Sequence, residues 1–186
     1  MSRVHETLIT TNPLREEDTA MTRTLVTLTD LVAAVRHAVD ARTEWAHTAD
    51  LVADQLRAHL PGPEILTADQ RLGWADRVAG HLLHAERDGA FSILALVWRP
   101  GQSTRIHDHI TWCVVGVLSG VEHEELFDDA LNPIGVWDNP AGQVSGFAPP
   151  GDIHRIRNIS EETAISLHIY GTDITRVGSS ARRFYN

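Results

Sequence analysis

Two short segments hold the residue types that do metal chemistry. The first is Gly101-Gln102-Ser103-Thr104-Arg105-Ile106-His107-Asp108-His109. Residues two apart on a strand share a face, so His107 and His109 aim into one space and Asp108 points away. An H-x-H pair of this kind is a two-point clamp for a metal ion. The second is Pro149-Pro150-Gly151-Asp152-Ile153-His154-Arg155-Ile156-Arg157-Asn158. Its Pro-Gly pair marks a tight turn, and His154 follows at the start of a strand. A barrel brings His154 beside the first pair. The plain alternative is a set of hydrogen-bonded barrel histidines without a metal.

Near the C-terminus, Ser166-Leu167-His168-Ile169-Tyr170-Gly171 puts Ser166, His168 and Tyr170 on one strand face. Such a stack passes hydrogen bonds along its length. Taken alone it reads first as an ordinary strand with a solvated polar face. Of the eleven histidines, His5, His37, His47 and His59 read as surface residues. Glu122-His123-Glu124-Glu125 alternates on a strand; a second metal site is one reading and a solvated face the simpler one.

These segments must be carried by a β-rich scaffold. From residue 90 onward, strand-like runs at 91–98, 113–118, 121–127, 143–147, 154–159 and 164–170 alternate with Gly, Pro, Asn and Asp turns. Many short strands at this spacing predict a sandwich or barrel. Upstream, apolar residues recur at helical spacing after Thr29 or Asp30 and again over 51–57, where Pro61-Gly62-Pro63 stops the second helix. A third short helix is expected near 77–84. The expected organisation is a flexible arm over 1–22 and one α+β, mostly β, domain over 23–186. Within that domain the helical segment covers about 29–85 and the barrel about 90–186.

Composition narrows the function. The chain has 186 residues and a formal net charge of −9, which argues against a sequence-independent nucleic-acid binder, since that needs a basic face. Its single cysteine, Cys113, rules out an intramolecular disulfide and a multi-cysteine zinc site. The longest apolar run, 93–98, is too short to span a bilayer, so no membrane association is expected. The first twenty residues lack an apolar core behind a basic start, which makes the cytoplasm the expected compartment.

The two histidine segments resemble the paired motifs of the cupin superfamily, whose fold is a jelly-roll-like β-barrel. Gly101, His107, His109 and Gly120 fall at motif positions, while Cys113 occupies the place usually held by a glutamate ligand. Three neutral imidazoles leave a divalent ion its full charge. Such an ion favours anionic donors from a substrate, and nitrogen ligands with an open face suit Fe(II) oxygen chemistry. Cys113 as a ligand is the alternative.

With Ser166-His168-Tyr170 added, residues 91–185 resemble the cysteine dioxygenase family of thiol dioxygenases. The resemblance implies Fe(II) on His107, His109 and His154, with Ser166, His168 and Tyr170 as an outer triad. It implies oxidation of a small thiol by O2 to a sulfinic acid, with Tyr170 donating a hydrogen bond to bound oxygen or substrate. Cys113 resembles the cysteine that some members cross-link to the triad tyrosine; the alternative is an inert buried thiol. The arginine that binds substrate carboxylate in cysteine dioxygenases is missing near Gly80 and His81. The stretch His81-Leu82-Leu83-His84 instead resembles mercaptopropionate dioxygenases, which use a C-terminal arginine. That makes Arg182 and Arg183 the carboxylate candidates, ahead of Arg176. His81 and Trp112 are candidate pocket residues, and Trp112 is equally plain core. Cysteine and 3-mercaptopropionate are the candidate substrates. A cupin enzyme acting on a non-thiol and a non-catalytic ligand-binding cupin are the rivals.

Overall fold

A computed structural model describes residues 16–185. Helices α1 (Glu16–Asp40) and α2 (Trp45–Ala58) open the chain. The buried residues Leu31, Val35 and Ala38 recur at helical spacing on α1, as do Ala49, Val52, Ala53 and Leu56 on α2. A short 3-10 turn (Pro63–Ile65) and α3 (Ala68–Arg71) follow. Thr67 caps α3 in a reciprocal capping box with Gln70.

Ten strands come next: β1 (Ala79–Ala85), β2 (Ser92–Trp98), β3 (His107–His109), β4 (Cys113–Ser119), β5 (Val121–Phe127), β6 (Pro133–Pro140), β7 (Val144–Phe147), β8 (His154–Arg157), β9 (Ala164–Tyr170) and β10 (Ala181–Phe184), with the one-turn α4 (Ile174–Val177) before the last. They form two antiparallel five-stranded sheets, ordered β1-β2-β9-β4-β7 and β10-β3-β8-β5-β6. This is the expected jelly-roll-like barrel with N-terminal helices.

The first sheet is buried on both faces at its central strands β2, β9 and β4. Its outer face, with Ile93, Ala95, Val97, Val114, Ile165, Leu167 and Ile169, packs with Leu31, Val35, Val52 and Leu56 in the main apolar core. That burial is why β9 reads as a continuous run with all seven residues buried. Gly116 lets α2 approach, since a Cβ there would lie 2.7 Å from Leu60 Cδ1 and 2.9 Å from Leu56 Cδ2. The inner face presents Leu94 opposite His168, Leu96 opposite Ser166, and Cys113 opposite Tyr170.

Several expectations change. The helix expected near 77–84 is strand β1, so the barrel begins at Ala79 rather than near 90. Its His-Leu-Leu-His spacing imitates a helical stripe, but cross-strand pairing with β2 from Ala79↔Val97 to Ala85↔Ser92 decides the conformation. Helix α1 begins at Glu16, upstream of the expected Thr29 or Asp30 cap, because the threonine-rich sequence before it hides its helical character. Most of the expected arm over 1–22 lies outside the described residues. Strands β6 and β10 are additional; both are sheet edges, where Pro133 and Pro140 are tolerated at the ends of β6. Among the described residues, no helix is long and apolar enough to cross a membrane.

Candidate metal centre

Strand register assembles the three histidines. His107 on β3 pairs directly with His154 on β8, and His109 lies two residues along β3 on the same face. All three are buried, and their ligand nitrogens lie within 4.8 Å of one another. The ring centroids are 4.7–5.0 Å apart. Each Nδ1 is already engaged. His107 Nδ1 lies 2.9 Å from the Arg105 carbonyl oxygen, His109 Nδ1 3.0 Å from Asp152 Oδ2, and His154 Nδ1 2.8 Å from Glu124 Oε1. Each acceptor holds the ring hydrogen on Nδ1 and leaves the Nε2 lone pair free for a metal.

Burial, with the charges of His154 and His109 next, pushes His107 down to about 3. Burial also lowers His109, although Asp152 opposes the shift. Both rings are therefore neutral, the state a metal ligand needs. Asp152 and Glu124 are pushed up by burial, but their hydrogen bonds to His109 and His154 outweigh it and hold both carboxyls below the usual range. Three imidazole nitrogens, each oriented from behind, fit a divalent transition-metal ion with open coordination positions.

Beside this centre stands a second array. Ser166 Oγ is 2.9 Å from His168 Nε2, and Tyr170 Oη is 3.2 Å from His168 Nδ1. Trp98 Nε1 extends it by donating to Ser166 Oγ at 3.1 Å. The Tyr170 ring stacks over His109 at 6.4 Å. Burial first, then neighbouring Cys113, raises the Tyr170 phenol, which stays protonated. Cys113 faces Tyr170 across β4 and β9, buried and free. Burial, then Glu124 and Glu122, pushes its thiol well up. The converging group among the described residues is His107, His109 and His154, and Cys113 is not part of it.

The sequence profile of the family "Cysteine dioxygenase type I" matches residues 77–181. The chain belongs to this family. Among curated relatives of this cysteine dioxygenase family, cysteine dioxygenase type 1 of Danio rerio is 32% identical over 94 residues, covering 46% of this chain and 47% of its own. The Homo sapiens protein of the same name is 33% identical over 91 residues, covering 45% and 46%. The chain thus spans about half the length of the curated relatives it matches. Two solved structures are distant likenesses. A Klebsiella pneumoniae protein with a double-stranded β-helix domain has 17% identity and a TM-score of 0.45, covering 54% of this chain and 81% of its own. A Thermus thermophilus protein has 19% identity and a TM-score of 0.46, covering 57% and 96%.

Other sequence candidates are not members of the histidine cluster. Trp112 belongs to the helix-side core, because strand alternation sends it away from Cys113. His81 pairs with Ala95 on the helix-facing side, and its ring meets Trp74 edge-on at 6.1 Å. Arg183 is turned to the outer face of β3, where Nε donates to Asp108 Oδ2 at 2.9 Å. Tyr185 donates to the same oxygen at 3.3 Å. Arg176 is exposed and paired with Asp173 at 2.9 Å. Arg182 is exposed at the irregularity where Ala181 pairs with His109 and Arg183 with Asp108.

The acidic strand also departs from expectation. His123 and Glu125 face outward, His123 to Asp138 and Glu125 to Arg155. Glu122 and Glu124 point into the barrel instead of forming a solvated face. Asp152, Glu124 and Trp98 are thus participants that sequence reading missed. Asp152 stands two residues before His154, but only the fold reveals that it serves His109.

Proposed function

We propose that this protein is a cytoplasmic, mononuclear Fe(II)-dependent thiol dioxygenase. It uses O2 to oxidise a small carboxylic thiol, cysteine or 3-mercaptopropionate, to the sulfinic acid. The observation that carries this reading is the three-nitrogen set of His107, His109 and His154, with a cysteine where a ligating glutamate is usual and the Tyr170 hydroxyl array alongside.

Fe(II) held there would supply a coordination site for the thiolate and a paramagnetic centre through which O2 can react, while the electrons that reduce O2 come from the sulfur being oxidised. Because the three imidazoles bring no negative charge, the site favours an anionic sulfur donor. Asp152, Glu124 and the Arg105 carbonyl keep the rings aimed. Phe147 packs against His109 and His154 at 5.0 and 5.2 Å, and excludes water on that side. His168, fixed by Ser166, orients the Tyr170 hydroxyl for contact with substrate. Arg182 is the C-terminal arginine left to meet the substrate carboxylate, since Arg183 and Arg176 have carboxylate partners. Sulfinate formation is chemically hard to reverse, which suits a committed degradative step.

The test is oxygen uptake by the anaerobically iron-loaded protein. Uptake with cysteine or 3-mercaptopropionate, and none with non-thiol acids, is expected. Retained iron with no uptake on any small thiol would refute the proposal.

A further inference from the structure

The inner faces of β4, β5 and β7 leave a narrow cavity beside His154, with room for about one water. Val115 and Val117 of β4 wall one side. Glu122 of β5, with Ser145 of β7 and Gln143 just before it, supplies polar groups. No lysine or arginine lines it.

Glu122 is the member that calls for a partner. It is 1% exposed, and its Oε1 has no hydrogen-bond partner. His168 Nε2 stands 3.9 Å from that oxygen, beyond hydrogen-bond reach. Two residues along β5, Glu124 borders the same cavity but is already held by His154 and Asn139. A buried carboxyl oxygen without a donor is destabilising in either protonation state, because a carboxylate and the carbonyl of a neutral acid both accept. Native proteins rarely leave such a group unsatisfied, and a polar recess of this size is where an ordered water serves it.

Strand register turns Ser145 inward. It pairs with Val115, which pairs on its other side with His168 of the barrel interior. The Ser145 hydroxyl and the Gln143 amide each donate and accept. A water in the cavity therefore meets three polar side chains, within the two to four that an internal water needs.

We propose that this cavity is a binding site for one internal water, held by Glu122, Ser145 and Gln143. The water donates to the Glu122 carboxyl and links β5 to β7, strands of opposite sheets that share no ladder. It braces the end of the barrel from which Glu124 reaches His154. Gln143 is exposed and marks the side from which the water exchanges with solvent. The site stands whether or not the protein oxidises thiols.

The test is water-to-methyl cross-relaxation in the metal-free full chain with carbon-13-labelled valine methyls. Val115 and Val117 should show cross-peaks at the water frequency, with the sign of a long-lived bound molecule rather than a passing one. Ser145→Ala removes the one hydroxyl in the cavity that could relay solvent magnetisation and leaves the space, so the cross-peaks should persist. Ser145→Val fills the space and should abolish them. Its unfolding constant in urea should be about tenfold larger than that of Ser145→Ala, because Glu122 loses its donor. A dry cavity predicts the reverse order, since valine would fill a void and suits a strand. Wild-type methyls without the cross-peaks would overturn the proposal, even if Ser145→Val failed to fold. So would cross-peaks that vanish in Ser145→Ala or survive in Ser145→Val, or a Ser145→Val protein more stable than Ser145→Ala.

Discussion

Asp152→Ala removes the carboxylate that holds His109 in place. Asp152 Oδ2 accepts twice from that residue, from the backbone N–H at 2.9 Å and from Nδ1 at 3.0 Å. Both side chains are buried, 3% exposed for His109 and 2% for Asp152, so water cannot replace the lost acceptor without opening the fold. Two orphaned donors at ~1–3 kcal/mol each, partly relieved by relaxation, put the loss in metal-free stability at about 2–4 kcal/mol. The ring is also free to rotate or change tautomer, which costs about 10–100-fold in metal affinity. That range corresponds to about 1.4–2.7 kcal/mol. Asp152→Asn keeps an oxygen acceptor at the same place and loses only the charge, so its affinity loss should sit near the lower end. Urea denaturation of the metal-free protein gives the first quantity, and anaerobic competition with a chelator gives the second. An Asp152→Ala protein that binds iron within about twofold of wild type would refute the orientation argument.

Acid should destabilise the metal-free protein for a defined reason. His107 is depressed from 6.5 to about 3 in the fold. The unfolded chain therefore takes up a proton near pH 6.5 that the folded protein refuses until about pH 3. Stability present above pH 6.5 is lost as pH falls through that window, by at most about 5 kcal/mol. Urea midpoints should drop between neutral pH and about pH 4, and a flat profile would contradict the burial of neutral rings. Arg182→Ala should raise KM for 3-mercaptopropionate about tenfold with kcat little changed, while Arg183→Ala should leave KM within about twofold, as steady-state oxygen uptake would show. Intact-mass analysis after aerobic turnover should reveal the loss of two hydrogens from a Cys113–Tyr170 thioether, absent in Cys113→Ser; an unchanged mass would assign Cys113 to packing alone.

The candidate metal cluster was legible because its signal is local. His107 and His109 share a face by strand periodicity alone, and Pro149-Pro150-Gly151 marks the turn that starts the strand of His154. The same rule placed Ser166, His168 and Tyr170 together. Their supports were not legible, because each comes from another strand at a register that sequence does not encode locally. Asp152 reaches back to His109, Glu124 crosses from β5 to His154, and Trp98 crosses from β2 to Ser166. Arg183 reads from sequence as an anion binder, yet the pairing of β10 with β3 sets it against Asp108. The β1 strand was misread for a related reason. Its histidines and leucines fit a helix locally, and only the edge of a sheet assigns them otherwise.

Product analysis with isotopically labelled O2 tests the thiol dioxygenase proposal most directly. The iron-loaded protein should convert cysteine or 3-mercaptopropionate to a sulfinate carrying both oxygen atoms from one O2, and His154→Ala should lose both the iron and the product. A disulfide product, a sulfinate with oxygen from water, or full iron and activity in His154→Ala would contradict it.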